Sequence, residues 1–247
     1  MRRYIGALLT VIILAAIGFG VINFLGAAAN LPPTIQAASQ GASGGYQHVS
    51  LTLQTYPNDP YQDDDFINAH VKGQTLNGEP YPQQIGDNAN WVKYWPTTDL
   101  VVPRHAIVTV TIQNYDGATP LLNPYYAIPR GVTDDLGAPT STVTVDGQAV
   151  KSVDPQNVSH TFTIHSIPQT GQGWLFVSVP ITAAPDDAKT DAFGMPLQPV
   201  VTVFSFVTPD RPGYYIWQCF DPCGSGFNGF GGPMSTKGYM SGTLTVQ

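Results

Sequence analysis

At 247 residues the chain is long enough for one or two domains with a sizeable core. Its 17 acidic residues against 10 basic ones give a net charge of −7, and no basic patch occurs, which argues against nucleic-acid binding. With 22 Pro, 25 Gly, many Thr and Val and Glu79 as its one glutamate, the composition suits a β-sandwich or barrel rather than helices.

Arg2 and Arg3 precede an apolar run from Tyr4 to about Ala29 that contains no charge. A signal-peptide core spans ~7–15 residues and a membrane-spanning helix needs ~20. Residues 1–29 therefore read as an uncleaved transmembrane anchor, with cleavage at Ala27-Ala-Ala29 as the runner-up. The arginines stay inside, so a single-pass protein of the cell membrane is expected, its domain on the extracytoplasmic side. Residues 30–45 are polar and rich in Gly, Ser and Pro and predict a flexible linker; the folded domain is expected over 46–247.

His48-Val-Ser-Leu-Thr-Leu-Gln-Thr alternates with period two and predicts the first strand. Pro57 to Pro82 reads as loop. Its Asp59, Asp63, Asp64 and Asp65 lack the Gly and terminal Glu of an EF-hand, so a solvated acidic loop is expected. Asp87 to Asp99, with Trp91, Tyr94 and Trp95, is left open between a short helix and an aromatic plug. Leu100-Val-Val-Pro and Ile107-Val-Thr-Val-Thr-Ile-Gln-Asn114 are strand signals, and His105 between them reads as a surface residue. Asp146-Gly147, between alternating apolar residues, predicts a hairpin. Val158-Ser-His160-Thr-Phe-Thr-Ile-His165 predicts a strand on which His160, Phe162 and Ile164 share a face and His165 takes the other. Trp174-Leu-Phe-Val-Ser-Val-Pro and Val200-Val-Thr-Val-Phe-Ser-Phe-Val are further strands, separated by an Asp/Ala/Pro loop. Asn157-Val-Ser159 has the form of a glycosylation sequon but adjoins His160.

The C-terminal stretch Arg211-Pro-Gly-Tyr-Tyr-Ile-Trp-Gln-Cys219-Phe-Asp-Pro-Cys223-Gly-Ser-Gly-Phe227 is a short apolar strand followed by a glycine-rich loop, and Met240 opens a last alternating strand, Thr243-Leu-Thr-Val. A Cys at the entrance and a Met at the exit of such a loop supply a thiolate and a thioether, both soft donors that favour copper. Two cysteines outside the cytoplasm also form a disulfide by default, and Cys219 and Cys223 are near enough in sequence to do so.

Arg-Pro-Gly-x-Tyr-x-x-x-Cys-x-x-x-Cys-Gly-x-Gly, together with Val158-Ser-His160-Thr-Phe and a single preceding helix, resembles the cupredoxin-type extracytoplasmic domain of cytochrome c oxidase subunit II. The resemblance covers the strand at 101–114, the segment 158–164 and residues 209–247, leaving 115–156 as an insertion. It implies an all-β, antiparallel Greek-key β-sandwich of cupredoxin type behind one transmembrane helix. It also implies a copper centre drawn from His160, Cys219, Cys223 and Met240, with Asp221 in the place where the family offers a backbone carbonyl. Phe227 stands where the family has a His, and no His follows His165. Met234 could take that place and give a softer site that favours copper(I); Asn228 is a weaker substitute. Two readings of function follow. One is copper binding and electron transfer with a partner protein or oxidase subunit, through a modified site. The other is a metal-free accessory or binding module stapled by a Cys219–Cys223 disulfide. An enzyme acting by itself ranks third, because no open metal position with an acid/base group is evident.

Overall fold

A computed structural model describes residues 34–57, 75–76, 79–80, 92–167, 171–191, 194–221 and 232–247. Residues Thr34–Gln247 form one unit. The expected anchor at residues 4–29 lies outside the described residues, as do the acidic loop at Asp59–Asp65, Trp91, Cys223, Phe227 and Asn228. Among the described residues no helix is long and apolar enough to cross a membrane.

Alternation of apolar and polar residues gives strands almost everywhere. The first six are β1 (Thr34–Gln36), β2 (Ala38–Ser43), β3 (Tyr46–Tyr56), β4 (Thr75–Leu76), β5 (Glu79–Pro80) and β6 (Lys93–Trp95). The middle of the chain holds β7 (Asp99–Val102), β8 (Ala106–Asn114), β9 (Val132–Thr133), β10 (Pro139–Thr140), β11 (Val143–Val145) and β12 (Gln148–Val150). The last five are β13 (Val158–Ser166), β14 (Phe176–Thr182), β15 (Val200–Val207), β16 (Gly213–Gln218) and β17 (Ser241–Val246). One large sheet runs β1-β7-β17-β16-β13-β14, the other large sheet runs β10-β9-β15-β8-β3-β2 with β6, β11 and β12 attached, and β4 pairs with β5 in a separate two-stranded sheet. A single apolar cluster draws Leu100, Phe162, Trp217 and Leu244 from the first sheet and Val49, Leu51, Val108 and Phe204 from the second. The domain is thus all-β, two sheets over a shared core.

Three features depart from the sequence reading. Residues 34–43, read as linker, form β1 and β2, because Ile35 is buried opposite Leu100 and β2 extends the sheet beside β3. Asp87–Asp99, left open between helix and plug, contributes β6 instead, which pairs with the end of β3 and buries Tyr94 and Trp95. The sheets are mixed rather than antiparallel: β1 with β7, β7 with β17 and β3 with β8 all pair in parallel. Parallel neighbours need a long crossover, and the chain from Tyr56 to Ala106 supplies one between β3 and β8. The hairpin at Asp146-Gly147 forms as its sequence predicts, with both residues at positive φ (46° and 80°), as a tight primed turn requires. It docks β11 on β15 and so makes part of the 115–156 insertion an extension of the second sheet.

Trp217 is fully buried between aromatic neighbours. Its indole lies 4.7 Å from the Phe162 ring and meets Tyr94 edge-on at 4.9 Å, and its N–H donates to the Thr98 carbonyl at 2.9 Å. Thr98 also abuts Gly242 in β17, where a Cβ would come within 1.9 Å of the Thr98 carbonyl oxygen. Gly242→Ala should therefore destabilise the domain by about 3 kcal/mol through overpacking against backbone that cannot yield. Urea unfolding of the two proteins reads this directly, and an unchanged midpoint would contradict the close approach.

Candidate metal centre

Strand register brings the two ends of the candidate site together. In β13 and β16, Thr163 pairs with Gln218, so the strands meet again just beyond, where Phe220 N–H donates to Thr161 Oγ1 at 2.6 Å. In β16 and β17, Gln218 pairs with Ser241, and the next step joins Cys219 N–H to the Met240 carbonyl at 2.9 Å. Met240 N–H in turn donates to the carbonyl of Pro233, in the 3-10 turn Gly232–Ser235 that carries Met234. His160, Cys219 and Met240, far apart in sequence, are thus adjacent because three neighbouring strands end at one level.

All three are fully or almost fully buried. Cys219 Sγ accepts from the Thr161 backbone N–H at 3.3 Å and lies 3.5 Å from the Asp221 carbonyl oxygen, to which the thiol donates. The same backbone N–H is a donor that a thiolate, the form that ligates metal, would keep. The Asp221 carbonyl faces the sulfur. Met234 is buried in the same apolar cluster as Cys219 and Met240.

His160 is anchored by a residue that sequence reading places in an insertion. Its Nε2–H donates to Asp116 Oδ2 at 3.0 Å. Asp116 is set by the turn that follows β8: its N–H reaches Asn114 Oδ1 at 3.2 Å, and its carbonyl accepts from Asn114 Nδ2 at 3.0 Å and from the Ala184 N–H at 2.9 Å. The Asn-Tyr-Asp-Gly spacing right after a predicted strand was the available signal, since Asn, Asp and Gly mark an Asx-type turn. What that turn faces is not a local property.

Charge is concentrated here. Burial alone would lower the His160 pKa, but hydrogen bonds to Asp116 and Cys219, and their charges, outweigh it and raise it from 6.5 to about 10. Asp221 goes from 3.8 to about 8, first because it is desolvated and next because the Cys219 sulfur repels its charge, with His160 partly opposing. Among the described residues, neither buried carboxylate oxygen of Asp221 has a hydrogen-bond partner.

Two other histidines among the described residues stay apart from this cluster. His165 is half-buried on the opposite face of β13, edge-on to Phe220 at 6.0 Å, in line with strand parity. His105 is surface-exposed, stacks on Tyr46 at 4.7 Å and bonds Asp210 at 2.6 Å. Among the described residues no three His, Cys, Asp or Glu side chains already close around one point. A metal held here would therefore need Met240 or the Asp221 carbonyl, a side-chain rotation, or Cys223.

The donor chemistry fits copper. An imidazole with its far nitrogen fixed by a carboxylate, a cysteine sulfur held by an N–H, a buried thioether residue and a backbone carbonyl are donor types that a copper site of intermediate softness uses.

No protein-family model matches the chain, and no curated protein matches it. Among solved structures it is similar to rusticyanin, described as a copper protein, at 15% identity over 83% of this chain and 85% of that one, with a TM-score of 0.30. Rusticyanin from Thiobacillus ferrooxidans gives 14% identity, 83% and 84% coverage and a TM-score of 0.30. Reduced rusticyanin gives 15% identity, 85% and 89% coverage and a TM-score of 0.29.

Proposed function

We propose that this chain is a membrane-tethered, extracytoplasmic cupredoxin-like protein that binds copper at His160, Cys219 and Met240 and passes single electrons to or from a partner protein. One observation carries the reading: Cys219 Sγ lies buried between the Thr161 N–H and the Asp221 carbonyl, hydrogen-bonded to a His160 that is itself fixed by Asp116. Bound copper would supply a one-electron couple. The protein's part is to hold the donors rigidly and exclude water, which limits reorganisation when the charge changes. The resemblance to the subunit II domain adds Cys223 as a further thiolate, an oxidase or cytochrome as the partner class, and residues 4–29 as the anchor.

Copper content decides between this and the disulfide-stapled module. Protein produced in copper-replete medium should carry stoichiometric copper. Protein isolated metal-free without reductant, showing no titratable thiol and taking up no copper after reduction, would establish the metal-free module instead. In the same experiment, Met234→Leu should leave the copper content unchanged if Met234 only packs the core, and lower it if its thioether is a ligand.

A further inference from the structure

Asn157-Val-Ser159 adjoins His160 in sequence, yet the fold separates the two. Asn157 closes the 3-10 turn Pro155–Asn157 and is exposed, whereas His160 is buried within β13. The turn is fixed on both sides. The Asn157 N–H donates to the Asp154 carbonyl at 2.8 Å, and its own carbonyl accepts from the Ala183 N–H at 2.9 Å. Asp154 caps the turn, its carboxylate accepting from the Gln156 N–H at 2.9 Å. Beside Asn157 an open groove of about 370 Å³ runs between the turn and the end of β14. Three of its lining residues, Ala118, Ala183 and Ala184, carry one methyl group each, which leaves room beside the Asn157 amide. Gln156 and Asp186 on its walls are polar groups that the hydroxyls of a sugar can meet.

Resting on the extracytoplasmic placement proposed above, we infer that Asn157 carries an N-linked glycan. Asn-x-Ser with x other than proline is the acceptor sequence for this modification in exported proteins, where it occupies the surface. The sugar donor is a lipid-phosphate-linked oligosaccharide. Asn157 Nδ2 forms the new bond to its anomeric carbon, the bond from that carbon to the phosphate oxygen breaks, the lipid phosphate leaves with the electron pair, and Nδ2 gives up one proton. Ser159 fixes when this happens. It is fully buried in the folded domain, so a transferase that reads its hydroxyl meets it only before β13 packs between β14 and β16. The glycan is therefore added to the unfolded chain, and the fold must then leave it outside, as the exposed turn does. β14 is the terminal strand of its sheet, and its last residue, Thr182, pairs with Val158. The glycan thus stands at the end of an edge strand, where it hinders edge-to-edge pairing with another chain.

The test takes full-length protein isolated from the cells that make it and reads the mass of the tryptic peptide 152–189, which holds the sequon and is released by cleavage after Lys151 and Lys189. Expected is a peptide heavier than its sequence by a whole number of sugar units, with the unmodified peptide as the minor fraction. Asn157→Gln and Ser159→Ala should each remove the added mass, whereas Ser159→Thr should keep it, because threonine supplies the same hydroxyl. The readout is a mass, so it does not depend on how well a variant folds, and Asn157→Gln alters only an exposed amide. A membrane-impermeant lysine label on intact cells reports the compartment in the same preparation. Labelled protein that yields the peptide at its unmodified mass would overturn the inference while leaving the copper reading intact, as would added mass that persists in Ser159→Ala. Protein that the label cannot reach would overturn the extracytoplasmic placement and the inference with it.

Discussion

Cys219→Ser should abolish copper binding, with a loss of about 10³-fold or more in affinity, while leaving the fold in place. Serine is nearly isosteric, and its hydroxyl can keep both neighbours of the sulfur, accepting from the Thr161 N–H and donating to the Asp221 carbonyl. What it cannot do is ionise near neutral pH or offer a soft donor. The structural penalty should be small because the surrounding cluster of Phe162, Trp217, Met234 and Met240 is untouched. Metal stoichiometry by elemental analysis, set beside far-UV circular dichroism, checks both halves. A variant that keeps a full complement of tightly bound copper would remove Cys219 from the ligand set, whereas one that fails to fold would show that the sulfur is structural first.

The second large effect is on pH dependence in the metal-free protein. The folded-state pKa of His160 is raised from 6.5 to about 10, so its contribution to stability is fully present below 6.5 and lost as pH climbs to about 10. The pKa of Asp221 is raised from 3.8 to about 8, so between those values the native state keeps a proton that the unfolded chain releases. Both signs agree: stability falls with rising pH. The fall should be steepest between pH 6.5 and 8, where the two windows overlap, with a limiting slope of about 1.4 kcal/mol per pH unit for each proton. Urea midpoints at pH 5, 7 and 9 should descend in that order, and Asp116→Asn should flatten the alkaline part. Metal inverts the trend, because the same groups must be deprotonated to ligate, so the stabilisation conferred by copper should widen as pH rises. A metal-free protein equally stable at pH 5 and pH 9 would contradict the charge arrangement at this site.

Much of this was legible from residues alone. The period-two runs at 48–55, 107–114, 158–164, 200–207 and 243–246 are each a strand in the fold, although Val158–Ile164 is buried on both faces. The Asp146-Gly147 turn was legible because two adjacent positive φ values demand such residues. The candidate site was legible in part: the donors His160, Cys219 and Met240 carry their own chemistry, and His160 could be assigned the core side by counting from Phe162. The resting place of residues 34–43 could not be read in the same way, since Ser and Gly are compatible both with a linker and with an edge strand, and only the partner β3 decides.

Taken by itself, the sequence determined an all-β domain, the face each strand residue takes and the soft donors near the C-terminus. Periodicity, turn chemistry and ligand softness are local properties of residues and survive any change in the packing around them. Tertiary structure decided the parallel pairings, the junction of three strand ends that sets Cys219 beside His160 and Met240, the clasp of Asp116 on an imidazole 44 residues away and the burial of the Asp221 side chain. Those depend on which strands lie side by side and on what is left around a polar group once water has gone. Neither quantity is a function of neighbouring residues in the chain, because pairing and desolvation are fixed by the whole fold at once.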